Sequence, residues 1–531
     1  MAKVDLVIDK AITVDDKPSL HLIKQGFLRN SLSVGGLSAV GLLLSFASQV
    51  IVAAVYGMSG ALDAYFLSLT MVSYFPAIYQ SGIADPFIPV YVNAGRDRRN
   101  FLNSVFSLMV LLTIAYGIII LATSGWMLRL LAPGFDISQI FVTRRALAWF
   151  MLLPSVLCFI SFAVSLLYIQ KSFVLPKALS LLLPLSIVVI VWTSARQWGV
   201  TALVLAMLVG YVSQALALLI ALSKHGFRLS LNFTLKSLRS ENIARLLRTG
   251  VPIIIGISLA GLFPMIDRAF ASNLGQGQIA ALSYAERLSV SINAVLLAPF
   301  VTVMLPYLSD VKNSDDFYRM FFYLLRTSFF IFIPIAVFTG VFAVPIVDIL
   351  FRRGAFTAND SAMVGNALRY IMVGLVSLVA TNIIGRSFVV KGNTWILACL
   401  SPVALGLKFL LNLFLVPRMG LAGITTATSL GHIVFSIVNI PLLLGRSNFI
   451  WFRKESVFPQ LGGALVAIVP AGIVASQLFK LWSTESNSWL NGVVLVVCGL
   501  LFLVCYGLAL LGLRLVRFSD IKMLLSLRKK C

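Results

Sequence analysis

The sequence predicts an all-α polytopic membrane protein. About fourteen transmembrane helices form two parallel six-helix repeats, followed by two extra C-terminal helices. Three observations predict it. The 531 residues are 59% hydrophobic and only 11% charged, against about 25% charged in soluble globular domains. Apolar runs of about 20 residues or more, each long enough to cross a bilayer, recur from residue 31 onward. Landmark residues then repeat at separations of 217 to 221 residues. A membrane barrel is excluded, because its strands alternate in polarity and are about 10 residues long. These runs do neither, so helices that satisfy their own backbone groups are required.

Residues 1–30 form a polar tail of mixed charge. It has no apolar core and does not read as a cleavable signal, so the first span is expected to be an uncleaved anchor. The N-lobe, 31–222, holds spans at 31–57, 61–90, 99–125, 143–169, 174–195 and 199–222. A basic linker, 223–243, leads to the C-lobe, 244–443. Its spans are 244–272, 278–306, 318–345, 360–389, 394–416 and 420–443. The region 444–514 carries spans 13 and 14, at 458–479 and 490–514, and 515–531 is a basic tail.

The net charge of +23 is concentrated in the tails and the even-numbered connections, as at Arg96, Arg98 and Arg99, at Lys224 and Arg228, and at Arg528, Lys529 and Lys530. The positive-inside rule then places both termini in the cytoplasm, and an even number of spans requires both on one side. The excess is a topology signal rather than a nucleic-acid footprint, since it is dispersed over many loops. The five cysteines, Cys158, Cys399, Cys498, Cys505 and Cys531, have no paired metal spacing. Those within spans read as small core residues.

The repeat rests on ordered matches. Pro89 pairs with Pro306, Gly134 with Gly354, Lys171 with Lys391, Gly199 with Gly420 and Gly210 with Gly431. An even number of spans per unit makes the copies parallel. In that class of transporters, the substrate site lies between the halves near the midplane.

Charges inside the spans are the strongest functional signal. A cation in hydrocarbon costs about 2.5–3.5 kcal/mol and usually faces protein or a watery cavity. Arg287, Arg369 and Lys408 lie deep in spans 8, 10 and 11, whereas the first six spans hold no deep Lys or Arg. A cavity with one basic wall suits an anion, and arginine grips phosphate through two parallel hydrogen bonds. Ser283, Arg287 and Ser291 fall on one helical stripe. Arg268, near a helix end, is a further candidate, with snorkelling to the interface as the competing reading. Arg326 reads as an anchor and His432 as a packed polar residue. For Arg287, the competing reading is an ion pair with Asp267 or Glu286. The carboxylates Asp63, Asp85, Asp267 and Glu286 are the candidates for coupling or gating. Gly275-Gln276-Gly277 is a turn and not a phosphate loop, because no Lys-Ser/Thr follows.

Several of these residues carry a resemblance. The run from Ile266-Asp267-Arg268 through Leu274-Gly275 to Ser283-Tyr284-Ala285-Glu286-Arg287-Leu288, followed by Leu305-Pro306-Tyr307-Leu308-Ser309, resembles the MurJ/MviN family of lipid II flippases. That family lies within the multidrug, oligosaccharidyl-lipid and polysaccharide exporter superfamily. Asp63 and its neighbours, and Pro86 to Tyr91, agree more loosely. The resemblance implies a bacterial inner-membrane protein with a cavity arginine for a diphosphate at Arg287, and Glu286 stands where an Asp is usual. Leu42 and Ser48 occupy first-span positions where the family carries arginines, and the second-span arginine is also absent.

The expected function is therefore a flippase, not an enzyme, that moves a polyprenyl-diphosphate-linked saccharide from the inner to the outer leaflet by alternating access. No cofactor or metal is expected. The driving force is the membrane potential or an ion gradient, and the expected partners are the lipid-linked glycan, membrane lipids and glycan-assembly enzymes. The missing first-half arginines make another lipid-linked oligosaccharide the alternative cargo. A cation-coupled drug exporter would need deep acids, and the deep charges here are mainly basic. A glycosyltransferase would need paired carboxylates on a substantial outer domain, and the odd-numbered connections are short. A scaffold without transport would have no need of buried cations.

Overall fold

The structure is a computed structural model that describes residues 20–231, 240–309, 314–445, 457–483 and 488–512. The N-terminal tail to residue 19, the linker segment 232–239 and the C-terminal tail from 513 lie outside the described residues. What is described is almost wholly helical. In chain order the long helices are α1 (Leu20–Tyr56), α2 (Gly60–Val92), α3 (Arg98–Leu131), α4 (Ile137–Ile169), α5 (Val174–Trp198), α6 (Val200–Lys224), α7 (Glu241–Ser272) and α8 (Gln278–Ser309). They continue as α9 (Ser314–Val341), α10 (Ala358–Val373 and Leu375–Val390), α11 (Thr394–Met419), α12 (Leu421–Leu444), α13 (Val457–Trp482) and α14 (Ser488–Gly512). Among the described residues, eleven helices are long and apolar enough to cross a membrane, or twelve with the two segments of α10 taken as one span. Helices α8 and α13 fill the remaining two of the expected positions.

Several helices are interrupted, each for a local reason. In α4, a 3₁₀ turn at Phe150–Leu152 precedes Pro154, whose nitrogen cannot donate to the preceding turn. In α2, a π-helical turn at Gln80–Ala84 precedes Asp85-Pro86. The two segments of α10 meet at Gly374 with a 42° bend. There the Ser429 hydroxyl of α12 donates to the Tyr370 carbonyl at 2.6 Å, an inserted side chain of the kind that kinks helices. The ninth span also ends earlier than expected. Helix α9 stops at Val341, and a separate short helix follows at Ala343–Phe351.

The duplication is visible in backbone detail. Asp136 and Thr357, 221 residues apart, both open their helices with a capping box. Gly199 and Gly420, also 221 apart, precede α6 and α12 with φ of 52° and 57°. The break in α4 at Phe150–Leu152 and that in α10 at Gly374 lie 222 to 224 residues apart, close to the same offset. This register corrects two pairings. Lys171 (φ 59°) matches Gly392 (φ 73°), not Lys391, and each donates to the carbonyl three residues back. Gly134 likewise falls opposite Ala355 rather than Gly354, which takes φ 59°.

The chain divides into two compact units. The first comprises the chain up to Tyr56, Gly60–Leu131 and Phe135–Gly261; the second comprises Gly57–Ser59, Ala132–Gly134 and the chain from Leu262. The division falls inside α7. In the first unit, Phe87 stacks on Phe101 with ring centres 5.4 Å apart and meets Phe162 at 5.3 Å. In the second, Tyr284 packs on Phe351 and Phe356, while Phe502 of α14 packs on Phe338 of α9 and Phe479 of α13 on Phe342 just beyond it. Val496, Leu500, Val504 and Leu508 of α14 remain exposed, as suits a lipid-facing surface.

Gly134 packs its backbone against that of Ser272 and Asn273, leaving no room for a Cβ. Gly199 has open space around it but a positive φ. Gly199→Ala is expected to cost about 1–3 kcal/mol from conformation alone, since φ 52° with ψ −139° is a region kept largely to glycine. Gly134→Val, which must displace backbone, is expected to lower the melting temperature in detergent by more.

Candidate functional site

The second unit gathers a charge cluster from α7, α8, α11 and α12. Helix α7 presents two consecutive charges, Asp267 and Arg268, 5% and 6% exposed. Adjacent helical residues point about 100° apart, so each charge meets a different neighbour. The Arg268 guanidinium donates to both carboxylate oxygens of Glu286 on α8, at 3.0 and 2.6 Å. This two-pronged geometry is the strong form of the pair. Asp267 meets the Lys408 ammonium of α11 at 2.9 Å. Asn412, one turn further along α11 and fully buried, donates to the same carboxylate oxygen at 3.0 Å. Lys408 also donates to the Thr428 hydroxyl and to the Ile424 carbonyl, both on α12. Two acids and two bases thus balance inside a helical membrane domain, where an unpaired charge is expensive.

This arrangement revises the reading of single residues. Arg268 and Lys408 were expected to face an anionic cargo, and Asp267 and Glu286 to act as separate carboxylates; the structure joins them in two ion pairs. The two acids considered as partners for Arg287, Glu286 and Asp267, meet Arg268 and Lys408. Arg287 is half-buried on α8, and Ser291 donates to its carbonyl at 2.9 Å. Ser283 is buried and donates to the Ile279 carbonyl at 2.8 Å. Both hydroxyls on that stripe thus bond to their own helix. Arg369 is exposed on α10, with its Nε donating to the Gly340 carbonyl at 3.2 Å. Arg326 lies over the Tyr323 ring at 5.7 Å.

Asp63 and Asp85 belong to the first unit. Asp63 is fully buried in the first turn of α2, a position where an acid favours the helix start. Asp85 is exposed immediately after the π-helical turn. The sequence reading missed Asn412 and Thr428. Asn412 had a signal, its spacing of one turn from Lys408 on an apolar helix; Thr428 had none beyond being polar within a span.

Fourteen-position helical topology, an internal duplication and charges buried within the spans mark a multi-pass membrane protein of the transporter class. The comparisons sharpen this. The profile of the lipid II flippase MurJ family matches residues 52–498, and the chain belongs to that family. A relative, the lipid II flippase MurJ of Burkholderia cenocepacia, is 27% identical over 485 residues, covering 87% of this chain and 91% of the relative. Among solved structures, a lipid II flippase MurJ in an inward closed conformation superposes with a TM-score of 0.75 at 18% identity, covering 90% of this chain and 99% of the other. An inward-facing multidrug transporter of the MATE family superposes with a TM-score of 0.62 at 16% identity, over 78% of this chain and 96% of the other. At these identities the structures speak for the fold. Membership of a flippase family makes the chain a transporter and not an enzyme.

Proposed function

We propose that this chain flips lipid II, carrying its glycan-bearing diphosphate head group from the inner to the outer leaflet by alternating access. The observation that carries the proposal is the family match over residues 52–498. It favours lipid II over another lipid-linked oligosaccharide as cargo, despite the missing first-half arginines.

Arg287 and Arg369, deep in spans 8 and 10, are the groups we assign to the diphosphate. Ser283 and Ser291 are assigned to shaping the α8 surface beside Arg287. The protein resides in the bacterial inner membrane with both termini cytoplasmic, as the basic connections require. Its driving force is an ion gradient or the membrane potential, and glycan-assembly enzymes on either side supply and consume the cargo. Asp63 and Asp85 are gating residues in this reading.

Rescue tests the assignment. In bacteria depleted of their resident lipid II flippase, this chain is expected to restore growth, and Arg287→Ala, present in the membrane at equal level, is not. Growth failure with the parent chain correctly inserted overturns lipid II as cargo.

A further inference from the structure

We infer that α10 and α12 enclose a narrow water-filled passage, which opens the interior of the second unit to the cytoplasm and is plugged by Lys391. The inference goes beyond the transport reading and does not depend on the cargo.

The passage follows one face of α12. Thr428, His432, Ser436, Asn439 and Leu443 recur every three or four residues and so share a stripe. Side chains one turn apart stand about 5–6 Å from each other, close to the span of one water bonded to both at about 2.8 Å. The Ser436 hydroxyl donates to the Ser377 carbonyl of α10 at 3.2 Å. The Thr381 hydroxyl of α10 donates to the same carbonyl at 2.9 Å, and the two hydroxyls lie 3.0 Å apart. Two protons serve these three contacts, so lone pairs on both oxygens remain to accept. One turn further along α12, Asn439 is fully buried. Its amide nitrogen donates to the Phe435 carbonyl at 2.7 Å, and its Oδ1 is buried without a hydrogen-bond partner. The stripe is rich in buried acceptors and short of donors, and donors are what buried water supplies.

The duplication shows that the fold does not require this polarity. At an offset of 221, the α12 stripe falls on Met207, Tyr211, Ala215, Leu218 and Leu222 of α6. Ser377 and Thr381 fall on Val156 and Ile160 of α4. Helices α4 and α6 pack on each other as α10 and α12 do, yet they do so largely through apolar side chains. Holding helices together is the ordinary role of Ser, Thr and Asn within spans. That role satisfies polar atoms in pairs and does not account for the acceptor left at Asn439.

Lys391, just past the end of α10, closes the mouth. In the proposed orientation this end faces the cytoplasm. The ammonium donates to the Leu443 carbonyl at 3.2 Å and to the Tyr318 hydroxyl. It lies over the rings of Phe317 and Tyr318, at 4.9 and 4.2 Å from their centres. Lysine is a compact, strongly hydrated charge on a flexible stem, so it can swing out to water and return. Withdrawal frees the Leu443 carbonyl, and Asn439 lies four residues deeper, roughly 6 Å at about 1.5 Å per residue. At the far end of the stripe, Lys408 donates to the Thr428 hydroxyl, which bounds the passage there.

Two measurements on the full chain in phospholipid vesicles test the passage. Hydroxyl-radical footprinting of the parent oxidises side chains beside water, buried ones included. Leu443 and Leu222 hold equivalent positions in the two repeats and are 4% and 1% exposed. Oxidation is expected at Leu443 and His432 and not at Leu222. Equal labelling of the two leucines, or none at Leu443, would overturn the inference. The second measurement reads direction. Silver ion is added to inside-out vesicles in nitrate medium, and the thiols it has not blocked are labelled with maleimide after denaturation. In a chain whose five native cysteines are replaced by alanine, Ser436→Cys and Asn439→Cys are expected to lose maleimide labelling, and to lose it faster with Lys391→Met. Leu218→Cys in α6 and the exposed Ile437→Cys are expected to keep it. Asn439→Cys as unreactive as Leu218→Cys, or blocked only from the outer side, would overturn the passage. A rate unchanged by Lys391→Met would overturn the plug.

Discussion

Lys408→Ala is expected to destabilise the second unit by about 3–5 kcal/mol, the cost of leaving a buried charge without its partner. Asp267 is 5% exposed and loses its 2.9 Å contact with the ammonium. Asn412 remains as a single donor to it. Thr428 and Ile424 lose a shared donor on the α12 side as well. The measurement is thermal unfolding in detergent, followed by loss of the monodisperse gel-filtration peak. Removing both charges should recover most of the loss, because a neutral pair of similar volume leaves nothing uncompensated. Recovery in Asp267→Asn/Lys408→Met therefore separates the cost of an orphaned charge from the cost of lost packing. A Lys408→Ala protein as stable as the parent would show that the pair does not hold α7 to α11.

Arg287→Ala is expected to behave in the opposite way, folding normally while losing transport. Arg287 sits one residue beyond the Glu286 clamp on the same helix and is half-buried. Truncating a charge that binds a diphosphate typically costs about 2–5 kcal/mol of binding, enough to abolish rescue. Arg268→Ala should instead reduce the amount of folded protein, since its guanidinium is 6% exposed and doubly bonded to Glu286. The two arginine positions thus give distinct signatures, one in transport and one in abundance. If Arg287→Ala lowers abundance and Arg268→Ala does not, the assignment of roles is reversed.

The helical plan was legible because hydrocarbon imposes it. A run of about 20 apolar residues has few alternatives to a helix, and the basic connections marked where runs end. The repeat was legible from Gly199 and Gly420, since both occupy a backbone conformation that favours glycine. It misregistered at Lys171 because the matching position needs a positive φ, which Lys171 adopts and Gly392 supplies; chemical identity pointed to Lys391 instead. The bend at Gly374 was not legible. It depends on a hydroxyl from α12 reaching Tyr370, a contact between residues 59 positions apart. The charged residues of the site were all visible as exceptions in an apolar sequence. Their pairing was not, because whether Arg268 of α7 meets Glu286 of α8 depends on the rotation of one helix against the other.

The most direct test of the central claim is flipping by the purified chain. Vesicles carrying fluorescent lipid II in both leaflets are treated with a membrane-impermeant reductant, with and without the protein. The account predicts that the protein exposes the inner-leaflet pool, so that bleaching passes from partial to near complete, and that Arg287→Ala does not. Partial bleaching unchanged by correctly inserted parent protein, under an imposed membrane potential and pH gradient, would contradict it.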